Sequence, residues 1–201
     1  MASKPVLLPT NVVPEHYELT ITPNLETALF DGEMSMEVVC GEEGTDTVEL
    51  HSKELNIVSA EYTPEGGKSI ALVGISYNLK MTTVALKFES ELPAGKASVK
   101  VQYKGILNSD MAGFSISNYT DAEGNNQKMG STQFEALDAR RAFPCVDEPA
   151  AKATFGLTLV VPQGLTAPSN MPETRVCHQK GGKKAVTFER SPKMSTYLLC
   201  W

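Results

Sequence analysis

The sequence predicts an all-β domain, a saddle-like antiparallel β-sandwich or open sheet with one or two short helical turns. Three observations carry this reading. Apolar residues recur at every second position along most of the chain, Gly- and Pro-rich turn signals separate these runs, and neither a heptad nor a sustained helical period occurs.

The first run is Tyr17, Leu19 and Ile21, alternating with Glu18, Thr20 and Thr22. Because successive strand side chains leave opposite faces, this pattern puts one set in a core and the other in water. Met34, Met36 and Val38 repeat the pattern against Glu33, Ser35 and Glu37, as do Val84, Leu86 and Phe88. Ala97, Val99, Val101 and Tyr103 form a longer run, and Phe155, Leu157, Leu159 and Val161 close the series. Turns are expected at Pro64-Glu65-Gly66-Gly67, Pro93-Ala94-Gly95, Asp121 to Asn126 and Gly181-Gly182. The segments Asp121 to Asn126 and Lys180 to Lys184 read as solvated hairpin tips. Short helical turns are expected around Ala136 to Arg141 and from Asp147 to Lys152, where Asp147 can cap and Pro149 is tolerated. Ser195 to Trp201 reads as a strand that stops at its most apolar part, an edge that chains seldom leave bare, so the sequence reads as the N-terminal piece of a longer polypeptide.

The 201 residues are 41% hydrophobic and 21% charged, a balance that fits a globular chain with a real core. A net charge of -6 argues against a nucleic-acid partner, since such binding needs Lys and Arg to neutralise phosphates. Met1 to Pro9 lacks the apolar stretch of a signal peptide, and no run reaches membrane-spanning length, so no membrane partner is expected. Cys40, Cys145, Cys177 and Cys200 stand far apart with no Cys-x-x-Cys pair, which points to a reduced, cytoplasmic protein.

The densest chemistry lies between Ser131 and Phe155. Gln133 and Glu135 stand two residues apart in what reads as a strand, so both side chains share a face and can converge on one small ligand with a cationic group, while Phe134 anchors the opposite face. A polar strand face tied to neighbouring backbone is the other reading of this pair. Arg140 and Arg141 read as structural, one of them pairing with Asp138 or Asp147 to lock the loop that positions Glu135. Cys145 reads as a buried thiol, because no histidine is near it in sequence. Cys177 and His178, as strand neighbours, face opposite ways and read as no metal site. Met111 and Phe114 read as core residues around Gly113, whose small size can let the backbone approach a neighbouring surface closely.

The run Thr132-Gln133-Phe134-Glu135-Ala136, with Asp138-Ala139-Arg140-Arg141-Ala142-Phe143-Pro144-Cys145 and Asp147-Glu148-Pro149, resembles the N-terminal domain of zinc aminopeptidases of the aminopeptidase N type, and most the cytosolic puromycin-sensitive branch. Val13-Pro14-Glu15-His16-Tyr17, Met111-Ala112-Gly113-Phe114 and Met194-Ser195-Thr196-Tyr197-Leu198 extend the resemblance over nearly the whole chain. It implies that residues 1–201 are a substrate-anchoring β domain preceding a zinc-bearing catalytic domain in one polypeptide. It further implies that peptides with a free N-terminus are the substrates, that Glu135 binds their α-amino group and that Gln133 lines the same pocket. A peptide α-amine, with a pKa of about 7.7 to 8.0, is largely protonated at neutral pH and suits a carboxylate partner.

The zinc motif His-Glu-x-x-His is absent, and His16, His51 and His178 have no metal-ligand spacing. No catalytic residue and no zinc ligand is therefore expected in this chain, which by itself is predicted inactive. The alternative expectation is a stand-alone, non-catalytic β-sandwich module that binds peptides or a protein partner.

Overall fold

A computed structural model describes residues 7–201; the signal-peptide reading of Met1 to Pro9 falls mostly outside the described residues. Twelve strands run in chain order: β1 Val12–Asn24, β2 Leu29–Cys40, β3 Thr47–His51, β4 Asn56–Pro64, β5 Ile70–Asn78, β6 Thr83–Phe88, β7 Gly95–Ile106, β8 Gly113–Thr120, β9 Asn126–Gln133, β10 Thr154–Pro162, β11 Glu173–Gln179 and β12 Lys183–Phe188. Ten of them form one sheet in the order β11-β12-β10-β1-β2-β7-β4-β5-β6-β3, and β8 pairs with β9 in a separate hairpin. The all-β expectation holds, in the form of one long sheet with a hairpin.

Each of the five alternating runs lands on a strand with its apolar set inside. Tyr17, Leu19, Met36, Val84, Leu86 and Val99 are at most 1% exposed. One continuous core draws on strands from both ends of the order, including Leu157 of β10 and Leu50 of β3, so the sheet curls around it. All pairings are antiparallel except β1 with β10, where Tyr17 stands opposite Phe155 in parallel register. A parallel pair needs a long crossover, and here everything from β2 to β9 lies between the two strands. The expected tips at Asp121 to Asn126 and Lys180 to Lys184 join β8 to β9 and β11 to β12.

Two local expectations fail. Asp147 to Lys152 forms a turn, closed by Ala151 N–H on the Glu148 carbonyl, with no helix; the Asp147 carboxylate is taken by Arg140 instead of capping. Ser195 to Trp201 is no strand. Its hydroxyls bond loop carbonyls, Ser195 to Pro149 at 2.7 Å and Thr196 to Val146 at 3.2 Å, and Thr196–Leu198 winds into a 3-10 turn. Such side-chain bonds compete with a ladder.

Candidate functional site

The strand carrying Gln133 ends at that residue. Glu135 lies just beyond it in a turn closed by Asp138 N–H on the Phe134 carbonyl at 2.9 Å, so the two side chains are not successive same-face residues of one strand as the spacing predicts. Both are exposed, while Phe134 between them is 2% exposed, which keeps the predicted division between an anchored and an open side. Among the described residues neither side chain has a hydrogen-bond or ion-pair partner, unlike the other acidic groups of this loop.

Edge-to-face aromatic contacts hold the turn from below. Phe134 meets Trp201 at 5.4 Å and Phe143 at 6.2 Å, Trp201 meets Phe114 at 5.4 Å, and Phe143 reaches Tyr17 at 5.8 Å. Rings of this size dominate burial and prefer these tilted geometries. The chain Phe114, Trp201, Phe134, Phe143, Tyr17 thus ties the hairpin and the Glu135 turn to strand β1.

Arg140 and Arg141 both act as structural clamps, as expected. Arg140 is buried; its Nε donates to Asp147 Oδ2 at 2.9 Å, its Nη2 to the Asp147 carbonyl at 3.3 Å and its Nη1 to Thr82 Oγ1 at 2.7 Å. Arg141 ion-pairs through Nε with Asp138 at 2.9 Å, and through Nη1 with Glu54 at 3.1 Å and Asp110 at 3.8 Å. It therefore joins three loops.

Gly113 makes its close approach to Arg141 of its own chain. Its φ is +68°, and a methyl placed there would stand 2.6 Å from Arg141 Cβ. Phe114 is in the core, but Met111 is 71% exposed, so the reading of Met111 as a core residue is corrected. The backbone at Met111 is left-handed, with φ of 56°.

A buried polar cluster lies behind the loop. His51 exchanges backbone hydrogen bonds with Cys145 at 2.8 and 3.1 Å, and its Nδ1 accepts the Asp147 N–H at 3.1 Å. Burial, and then the Arg140 guanidinium, push the His51 pKa down to about 4. Burial likewise pushes the Asp147 carboxyl up, with Arg140 opposing that shift, and pushes the Cys145 thiol well up. Cys145 is a buried, protonated thiol, as its sequence setting implies. Sequence reasoning missed His51 and Glu54, because their partners lie about ninety residues away, and Asp110, whose partner Arg141 lies about thirty residues on.

A comparison with known proteins decides the family. The model of the Peptidase M1 N-terminal domain matches residues 13–198. The chain belongs to the peptidase M1 N-terminal domain family. Relatives of this M1 domain include an alanine/arginine aminopeptidase of Saccharomyces cerevisiae, 40% identical over 97% of the chain and 22% of the relative. A puromycin-sensitive aminopeptidase of Caenorhabditis elegans is 39% identical over 96% of the chain and 20% of its own length. An aminopeptidase N of Bos taurus is 39% identical over 96% and 22%. The chain spans about a fifth of the length of the curated relatives it matches.

Nothing in the described part of the M1 domain fits a zinc ion. No group of three or more His, Cys, Asp or Glu could hold a metal there. His16 on β1 is buried with Nδ1 bonded to Thr154 Oγ1 at 2.8 Å, His51 is committed to Asp147, and His178 on β11 bonds Gln163 at 2.7 Å. Cys177 beside it is half-buried and free. Among the described residues no helix is long and apolar enough to cross a membrane.

Proposed function

We propose that this chain is the substrate-anchoring part of a zinc aminopeptidase that removes amino-terminal residues from peptides, with Glu135 receiving the substrate's α-ammonium group and Gln133 beside it. Family membership supports the enzyme class. The observation that carries the anchoring role is the Glu135 carboxylate: it is exposed, without a partner among the described residues, and mounted on a turn whose neighbours Phe134 and Phe143 are buried in an aromatic stack. A carboxylate left free on a rigid base costs little to reorganise when a cation arrives.

The catalytic machinery and the zinc site belong to the rest of the polypeptide, which packs beside this domain. Within this chain the chemistry is binding and orientation: one charge-assisted hydrogen bond to an ammonium group fixes where the peptide begins. A fixed anchor at the substrate's first residue makes an exopeptidase. The free state of the four cysteines supports a reducing, cytoplasmic location, although one relative is named "Aminopeptidase 2, mitochondrial".

The test is Glu135→Gln in the full-length enzyme, with zinc content measured alongside. Removing one member of a desolvated charge pair costs about 2 to 5 kcal/mol, so kcat/KM on free-amine peptides is expected to fall by about 30- to 5,000-fold with zinc content unchanged. Wild-type kinetics in that variant would overturn the anchoring role.

A further inference from the structure

The β8–β9 hairpin brings a second segment to the turn that carries Glu135. Gly113, the first residue of β8, stands opposite Gln133, the last residue of β9. Opposed residues of an antiparallel pair lie about 4.5 to 5.5 Å apart at Cα, so the chain entering Gly113 and the chain leaving Gln133 run side by side at one end of the hairpin. Met111 is two residues before Gly113, and Glu135 is two residues after Gln133. The two segments also touch beyond the ladder: a methyl on Gly113 would lie 3.2 Å from the carbonyl oxygen of Asp138, in the turn after Glu135.

The segment before Gly113 is fixed from three directions. Asn108 Nδ2 donates to the Ala112 carbonyl at 2.6 Å, Asn108 Oδ1 accepts the Asp110 N–H at 2.9 Å, and the Asp110 carboxylate reaches Arg141 Nη1 at 3.8 Å. Arg141 also holds Asp138 through Nε at 2.9 Å, so one guanidinium ties the Met111 loop to the Glu135 turn. Held this way, the loop leaves Met111 71% exposed and the turn leaves Leu137 51% exposed, while Phe114 and Phe134 take the buried positions. Single exposed apolar side chains are common on protein surfaces. Met111 differs from them in being clamped beside a turn whose carboxylate is exposed and, among the described residues, without a partner.

We propose that Met111 is a specificity-determining residue: it forms an apolar wall against the first side chain of a peptide whose α-ammonium group is held by Glu135, and so favours large apolar first residues. The assignment rests on Glu135 as the anchor. In a peptide the first side chain branches from the carbon that bears the ammonium group, so a group standing beside the anchoring carboxylate meets that side chain. A thioether is unbranched and polarizable and adapts to aliphatic and aromatic shapes alike, which suits a wall that accepts more than one apolar residue. Contact of this kind selects by area. Each methylene that leaves water on binding is worth about 4-fold in affinity, so leucine gains from the wall and alanine is too short to do so.

Kinetics of the full-length enzyme test it, on paired peptides identical except for leucine or alanine at the first position. Asparagine tolerates a left-handed backbone and removes the apolar contact, so Met111→Asn is the variant of choice. The ratio of kcat/KM for the leucine peptide to that for the alanine peptide is expected to fall about 5-fold or more in Met111→Asn, and to stay within about 2-fold of the wild type in Met111→Leu. Met111→Gln, close to methionine in length and polar at its end, is expected to lower the same ratio. Glu135→Gln, measured beside them, is expected to lower kcat/KM for both peptides together. An unchanged ratio in Met111→Asn and Met111→Gln while Glu135→Gln is impaired would overturn the Met111 assignment alone, even if both peptides lost activity equally. Wild-type kinetics in Glu135→Gln would overturn the anchor and the wall with it.

Discussion

The main-chain N–H of Asp147 donates to Nδ1 of His51 across 3.1 Å, which makes that ring nitrogen an acceptor and places the imidazole proton on Nε2. Protonating Nδ1 destroys this bond and sets a second cation beside Arg140. The contact joins the end of β3 to the loop between Arg140 and Asp147, and through that loop to the turn that carries Glu135.

Acid is therefore expected to weaken the fold through His51. Above pH 6.5, the ordinary value, the ring is neutral whether the chain is folded or unfolded, and stability is at its full value. Between 6.5 and about 4 the unfolded chain takes the proton and the folded chain does not, so stability falls as pH falls; below about 4 both carry it and the loss stops. The whole effect is at most about 3 kcal/mol. Asp147, with its carboxyl pushed up by burial, contributes with the opposite sign by taking a proton earlier in the folded state. His51→Asn keeps an acceptor and removes the titration. Urea midpoints at pH 7, 5 and 4 are expected to fall less in that variant than in the wild type, and equal slopes would refute the role of His51.

Arg140 and Arg141 are expected to separate by mechanism. Arg140→Ala leaves the Asp147 carboxylate, 2% exposed, buried beside no cation, a loss of about 3 to 5 kcal/mol. Arg141→Ala breaks pairs with Glu54, Asp110 and Asp138 that remain open to water, and costs about 1 kcal/mol or less for each. Denaturant melts should rank Arg140→Ala well below Arg141→Ala. In the full-length enzyme Arg141→Ala is expected to lower stability more than it alters substrate preference; a normal Tm with changed specificity would contradict this.

Phe134→Ala is expected to cost about 3 to 5 kcal/mol, because the ring has aromatic neighbours on two sides and its removal leaves a cavity under the Glu135 turn. Phe134→Leu should recover most of that loss. A destabilisation below about 1 kcal/mol for the alanine variant would mean that the turn is not held from beneath.

Gly113→Ala meets two obstacles, the left-handed backbone and the Arg141 Cβ at 2.6 Å. A loss exceeding about 1 kcal/mol is expected from the backbone alone. The double variant Gly113→Ala with Arg141→Ala does not remove that second contact, because alanine keeps its Cβ; Arg141→Gly in the same background should return part of the stability. Thermal melts of the three variants check the order.

The local pattern determined half of the sheet's ten strands. Tyr17 to Ile21, Met34 to Val38 and Ala97 to Tyr103 alternate because one face of each strand meets the core, and that signal lies within a few residues. It is faint at β11, where Cys177 and His178 do lie on a strand but every residue is exposed or half-exposed and so carries no two-sided contrast. The resemblance carried by Gln133 to Pro149 pointed to the family before any geometry was known. Tertiary structure alone decided the rest: that Glu135 lies in a turn past the end of its strand, that Asp147 turns to Arg140 and His51 instead of capping a helix, and that the terminal apolar segment coils against Phe114 and Phe134. The Glu135 turn closes on the carbonyl of Phe134, four residues before Asp138, and Arg140 and Asp147 stand seven residues apart, while His51 and the Phe114 and Phe134 rings reach their partners from distant parts of the chain. Periodicity reports which face of a segment is buried, and holds no record of what meets it there.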